Sequence, residues 1–289
     1  MFYDHIIMYC SCSHVFSLTV AAKARATSSN APMGDKLALE QMRTKLLKDI
    51  ECFQVDARTF LRHEVANVAA TLGPDTSPLG AEWDGLDGTL GTPDSDEPGH
   101  PGEPPTTPPS FSLHNVHTIP PERLQIPLPS TLGPAKCSRY GLSTLVQAER
   151  SLRIGQMNDA LHGVRVGLGY KSFLYRSSVR KANSQRKKLR SFDEVHVADA
   201  AVTNSARVYS AARDAFQQLF DVSVASEKAA LDKHLALYRP LLKSDLRANT
   251  ALIEQGVRGV SKLHLAWFWG MDVEGDSRDS PWMAESKSI

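Results

Sequence analysis

The densest set of chemistry-bearing residues in this sequence is basic. From Tyr175 to Phe192, "YRSSVRKANSQRKKLRSF" carries seven Lys or Arg residues and no acid. Arg176, Arg180, Lys181, Arg186, Lys187, Lys188 and Arg190 are suited to neutralising phosphates, and each such contact would add salt dependence. Tyr170, Phe173, Tyr175 and Phe192 interleave with them, as in a base-stacking surface. The run also has the composition of a nuclear localisation signal. The plainer reading is a corner between two helices, with bases placed where a helix C-terminus favours them. Short basic runs are common, so the corner is the first expectation and contact with DNA the second.

The other constellations are thinner. "ERSLRIGQMNDALHGVRVGLG" sets Glu149, Arg153, Gln156, Asn158, Asp159 and His162 on one helix. Asp159 and His162 are three apart and can meet on one face, as an acid/base pair or half a metal site. A metal needs more ligands, and no second helix offers a matching pair. A polar network between packed helices is therefore expected. His114 and His117 have a ligand-like interval but no Cys or carboxylate set beside them. Glu274, Asp276 and Asp279 in "DVEGDSRD" lack the alternating ligands, central Gly and distal Glu of a calcium loop. The four cysteines, Cys10, Cys12, Cys52 and Cys137, lack zinc spacing and read as reduced intracellular thiols. There is no nucleophile elbow and no phosphate-cradling Gly loop. The expectation is a protein that is not an enzyme, with no catalytic residue, no metal and no cofactor.

The elements that must carry these residues are helical. Apolar residues step by three and four through Leu39, Met42, Leu46, Ile50, Phe53, Ala57, Phe60, Leu61, Val65, Val68 and Leu72, predicting a long helix over 35–72. Asp35 would cap it and Gly73-Pro74 would stop it. A second stripe runs from Leu142 through Met157, Leu161 and Val164 to Leu168. A third helix, 184–220, has the seam Val195, Ala198, Val202, Ser205, Tyr209, Ala212, Phe216 and Leu219, the alternating spacing of a packed pair. A shorter helix is expected over 226–238, ahead of Pro240. "PLLKSDLRANT" reads as irregular or a brief helical turn. No strand-period pattern and no internal repeat is found. The fold expected is all-α: a long helix, a disordered linker, then an antiparallel helical hairpin with a smaller helix over 135–271.

Charge is segregated along the chain. Leu72 to Pro121 has eight acids and no Lys or Arg, while Lys171 to Arg190 has eight bases and no acid, so the net charge of +1 hides two opposite fields. The Pro/Gly-rich acidic stretch within 73–134 cannot bury enough apolar surface to offset its ordering entropy and is expected to be disordered. "EWDGLDG" is the one part of it suited to docking. The first 34 residues are expected to be a poorly ordered tail, and 272–289 another. The N-terminus does not match a signal peptide, because Asp4 and His5 stand where bases belong and Ser11, Ser13 and His14 interrupt the apolar run. No segment has the ~20 apolar residues of a membrane span. Location is expected to be nuclear or cytoplasmic, with no membrane partner. "AWFW" closes the helical region, and Trp267, Phe268 and Trp269, if exposed, would form an apolar interaction surface for self-association or partner helices.

The order of these pieces carries a resemblance. "IPLPSTLG", Cys137, Gly141-Leu142, the "GQMNDAL" helix, "KSFLYR", "VHVADAAVTNSARVYSAARDA", Tyr238-Arg239-Pro240-Leu241, Asp245-Leu246 and "LAWFW" follow one another. This set resembles the C-terminal region of KDZ (Kyakuja-Dileera-Zisupton) transposase-like proteins of fungi. "KLLKDIECFQVDARTFL" fits the same family, and the likeness covers Lys36 to Met271 except the acidic linker. In that family an RNase H-like core holds the metal-binding acids that cut DNA. No strand-rich segment is available for that core here, so no catalytic residue is carried over. The resemblance implies a non-catalytic, transposase-derived helical protein or fragment with weak, non-specific DNA contact. The alternatives are a helical protein-protein interaction module and a non-functional relic of a mobile element.

Overall fold

The computed structural model describes residues 2–60, 81–84, 119–179, 181, 183–246 and 266–271, with side chains left aside for 2–13 and 56–60. Among these residues the chain is all-α, as the periodicities predict, and contains no strand. Seven helices occur in order: α1 (Phe2–Ala26), α2 (Met33–Phe60), α3 (Pro129–Leu132), α4 (Pro134–Arg139), α5 (Ser143–Leu174), α6 (Gln185–Gln217) and α7 (Ala225–Leu237).

The long helices α5 and α6 form the frame. Gly163 of α5 faces Ser205 of α6, Gly167 faces Val202, and Lys171 faces Asp199, so numbers rise on one helix as they fall on the other. The close approach depends on the glycines. A methyl group on Gly163 would lie 2.7 Å from Ser205 Oγ, and one on Gly167 would lie 2.6 Å from Val202 Cγ2. Met157, Leu161, Val164 and Leu168 bury against Val202, Ala206, Tyr209, Ala212 and Phe216. Leu231 of α7, Tyr238, Leu241, Leu246, Trp83 and Phe268 complete this core. Arg150 ties α7 to the frame, pairing with Glu227 and stacking 3.7 Å over the Phe220 ring.

Two regions depart from expectation. The predicted tail over 1–34 instead contains α1. Phe16, Val20 and Ala24 recur every four residues, and this stripe packs on Leu39, Leu46 and Ile50 of α2. The apolar run supplies one face of a helix. The end of the predicted linker is also ordered. Over 119–134, Ile126, Leu128 and Leu132 are buried, and Glu122 pairs with Arg43 at 2.6 Å. Ser130 donates from N and Oγ to the buried Glu149 carboxylate at 2.9 and 2.6 Å. The same carboxylate accepts from Arg153 Nη2 at 2.8 Å. Proline did not prevent docking here, because Pro129 and Pro134 open short helices where a missing N–H costs nothing.

Within the acidic stretch, Trp83 is 2% exposed and donates from Nε1 to Ser210 Oγ at 3.2 Å. Asp84 beside it accepts from Arg207 at 2.9 Å and pairs with Arg25 of α1. Residues 61–72, most of the acidic linker (85–118, with His114 and His117) and the tail 272–289 lie outside the described residues.

Candidate nucleic-acid interface

The basic run occupies the turn joining α5 to α6. α5 ends at Leu174 and continues as a single π-helical segment, Tyr175–Val179. Ser184 then caps α6, its side chain accepting from Lys187 N at 3.3 Å. A small core of Leu174, Tyr175, Val195 and Ala198, with Val179 and Phe192 against it, holds the turn to the frame.

Lys171, which opens the acid-free stretch, is not part of any outer surface. It is fully buried, with Nζ 2.5 Å from Asp199 Oδ1. Burial lowers its pKa, and Asp199 opposes that shift by favouring the charged form. Burial also pushes the Tyr175 phenol up, with a smaller push from Asp199. Val164, Leu168, Lys171 and Tyr175 step by four, three and four, so the buried position of Lys171 is readable from the stripe it extends. Its partner is not readable, because pairing depends on the register between helices.

The seven predicted phosphate-binding residues divide. Lys181, Arg186, Lys187, Lys188 and Arg190 are exposed, and among the described residues none pairs with a carboxylate. Arg176 is half-buried, with Nε enclosed and, among the described residues, without a hydrogen-bond partner. Arg180 lies outside the described residues. Expectation and structure differ on why bases sit here. Arg186, Lys187, Lys188 and Arg190 fall in the first two turns of α6, not the last turns of α5. The N-terminal end of a helix carries positive partial charge, so cations there are disfavoured by ~0.3–1 kcal/mol each at low salt. The corner gains no local stability from them, and their field adds to that of the helix end.

The interleaved aromatics also divide. Tyr175 and Phe192 face the small core, whereas Tyr170 and Phe173 are 52% and 53% exposed. With Val166, also exposed, they form a stripe at spacings of four and three on the outer face of α5. That stripe is missing from a reading that looks only for buried periodicity.

The other predicted surface is largely turned inward. Phe268 is fully buried, and Arg165 donates from Nε at 3.0 Å and from Nη2 at 2.5 Å to its carbonyl. Trp267 packs 6.1 Å from the Tyr209 ring, and only Trp269, 37% exposed, stands at the rim. An exposed Trp267–Phe268–Trp269 patch is therefore not present. The motif belongs to the core because an enclosed guanidinium satisfies its backbone.

Asp159 and His162 both face solvent. The interior polar contacts on α5 are made by their neighbours: Asn158 accepts from Tyr238 Oη at 3.0 Å, and Glu149 pairs with Arg153. Arg153 Nη1 lies 3.5 Å from His14 Nδ1 on α1. Burial, then the Arg153 charge, push His14 down to about 3. This pair borders a cavity of about 1070 Å³ between α1, the 120–131 segment and α6. Asp214 is on its wall, its carboxyl raised by burial. Among the described residues no group of three or more His, Cys, Asp or Glu is placed to hold a metal, and no helix is long and apolar enough to cross a membrane. No protein family, curated protein or solved structure matches this chain.

Proposed function

We propose that this chain is a non-catalytic helical protein that makes weak, sequence-independent contact with DNA phosphates through the α5–α6 turn. The observation that carries the reading is the set of five exposed cations, Lys181, Arg186, Lys187, Lys188 and Arg190, with no carboxylate partner among the described residues. Exposed cations without a carboxylate partner occur elsewhere among the described residues, as at Lys136 and Lys228, but at this turn five of them fall within ten residues of one another. The order of segments resembling KDZ transposase-like proteins supports descent from a DNA-handling chain. The competing interaction-module reading keeps the helix seams and Trp269 but not Phe268, which is buried.

The triple variant Lys187→Gln, Lys188→Gln, Arg190→Gln tests this. All three side chains are exposed, so helicity should be unchanged. Duplex affinity at low salt is expected to fall by about tenfold or more, given the electrostatic share of non-specific binding. Unchanged affinity would refute the assignment.

A further inference from the structure

We infer that the turn and the outer face of α5 together form a site selective for single-stranded nucleic acid, with Tyr170 and Phe173 as stacking platforms. This rests on the phosphate-contact reading above and adds the class of nucleic acid.

Isolated exposed aromatics are ordinary on a protein surface. Here two occur three residues apart on one helix, both about half exposed, with no other element covering them among the described residues. Their offset along the axis is about 4.5 Å, so two unstacked neighbouring bases of one flexible strand are within reach of the two rings. The rings sit on a rigid helix rather than a loop. The Lys171–Asp199 pair immediately beneath fixes this part of α5 against α6.

The cations lie further along the same tip. Level with Lys171 on α6 is Asp199, nine residues from Arg190 and thirteen from Arg186. At 1.5 Å per residue the platform and the bases are offset by about 14–20 Å along the helix axes, an axial span that a strand of about four nucleotides or more covers. Phosphates then meet Arg190, Lys188, Lys187 and Arg186 while bases stack on Tyr170 and Phe173. A duplex offers phosphates to the same cations but keeps its base faces covered by stacking. Only a single strand can use both halves of the surface.

The test uses the full chain and two end-labelled probes, an oligothymidylate of about 12 nucleotides and a duplex of similar length, read by fluorescence anisotropy. The single strand is expected to bind about fivefold tighter or more. Tyr170→Ala with Phe173→Ala should weaken single-strand binding by at least about fivefold while leaving duplex binding within about twofold. Tyr170→Trp with Phe173→Tyr, which retains π-faces, should restore it. Equal affinity for both probes, or a Tyr170→Ala, Phe173→Ala variant that binds the single strand normally, overturns the stacking site and leaves the phosphate reading intact. Binding to neither probe overturns both. Binding only to phosphatidylserine-containing vesicles also overturns both, since it would assign the patch to an anionic lipid surface.

Discussion

Lys171 and His14 show how much a single side chain's meaning depends on what surrounds it. Lys171 belongs by sequence to the basic run and by structure to the interior. Removing it breaks a buried ion pair, so Lys171→Ala should destabilise the fold by up to about 3–5 kcal/mol. Replacing both partners by apolar residues, as in Lys171→Met with Asp199→Leu, should recover most of that loss in a denaturant titration. His14 predicts a pH dependence. Its folded pKa of about 3 lies below the ordinary 6.5. Stability from the neutral imidazole is therefore complete above about pH 6.5 and declines as the pH falls towards 3, because the unfolded chain binds the proton first. The ceiling is about 1.4 kcal/mol per pH unit, reduced where solvent reaches the ring. His14→Gln should lose less stability than the parent between about pH 7 and 5, measured by thermal melting at each pH. A parallel decline in both would remove His14 from the account.

Helix packing ties these residues together, and it makes its own prediction at the glycine crossing. Both Gly163 and Gly167 face α6 too closely for a methyl group, but their neighbours differ. Ser205 Oγ can rotate away, whereas Val202 is β-branched and stiff about χ1. Gly167→Ala should therefore cost more than Gly163→Ala, by about 1–3 kcal/mol against a smaller loss, in chemical denaturation. Reversal of that order would mean the helices separate rather than the side chains adjusting. Helical elements were the part of the fold most visible in sequence. The α6 seam runs through Val195, Ala198, Val202, Tyr209, Ala212 and Phe216, all buried, and α7 falls one residue from its expected start. Elements whose order comes from tertiary partners were hidden. α1 looks like a weak, interrupted apolar run until Leu39, Leu46 and Ile50 are brought beside it. The 119–134 segment looks like linker until Glu149 and Arg43 supply partners for Ser130 and Glu122. Trp83 was a large apolar residue in a polar stretch, and that signal was sufficient to suggest docking.

For the whole molecule, the proposed function rests on the surface left over after packing. Sequence placed the seven bases at a helix-to-helix corner, and the corner is there. What could not be read from sequence is which cations remain outside: Lys171 is consumed by the core, Arg176 is partly enclosed, and five others stand free of carboxylates among the described residues. The aromatic "AWFW" motif followed the opposite course, from candidate surface to core, because Arg165 reaches its backbone from α5. A near-neutral chain with a cluster of exposed cations at this tip should bind polyanions locally and weakly rather than by bulk charge. The measurement closest to this claim is the salt dependence of duplex DNA binding over about 50–200 mM salt, for the parent and for Lys187→Gln, Lys188→Gln, Arg190→Gln. The account predicts that log affinity falls linearly with log salt and that the slope flattens by about one unit for each phosphate the variant no longer neutralises. An identical slope in a variant of unchanged helicity would contradict it.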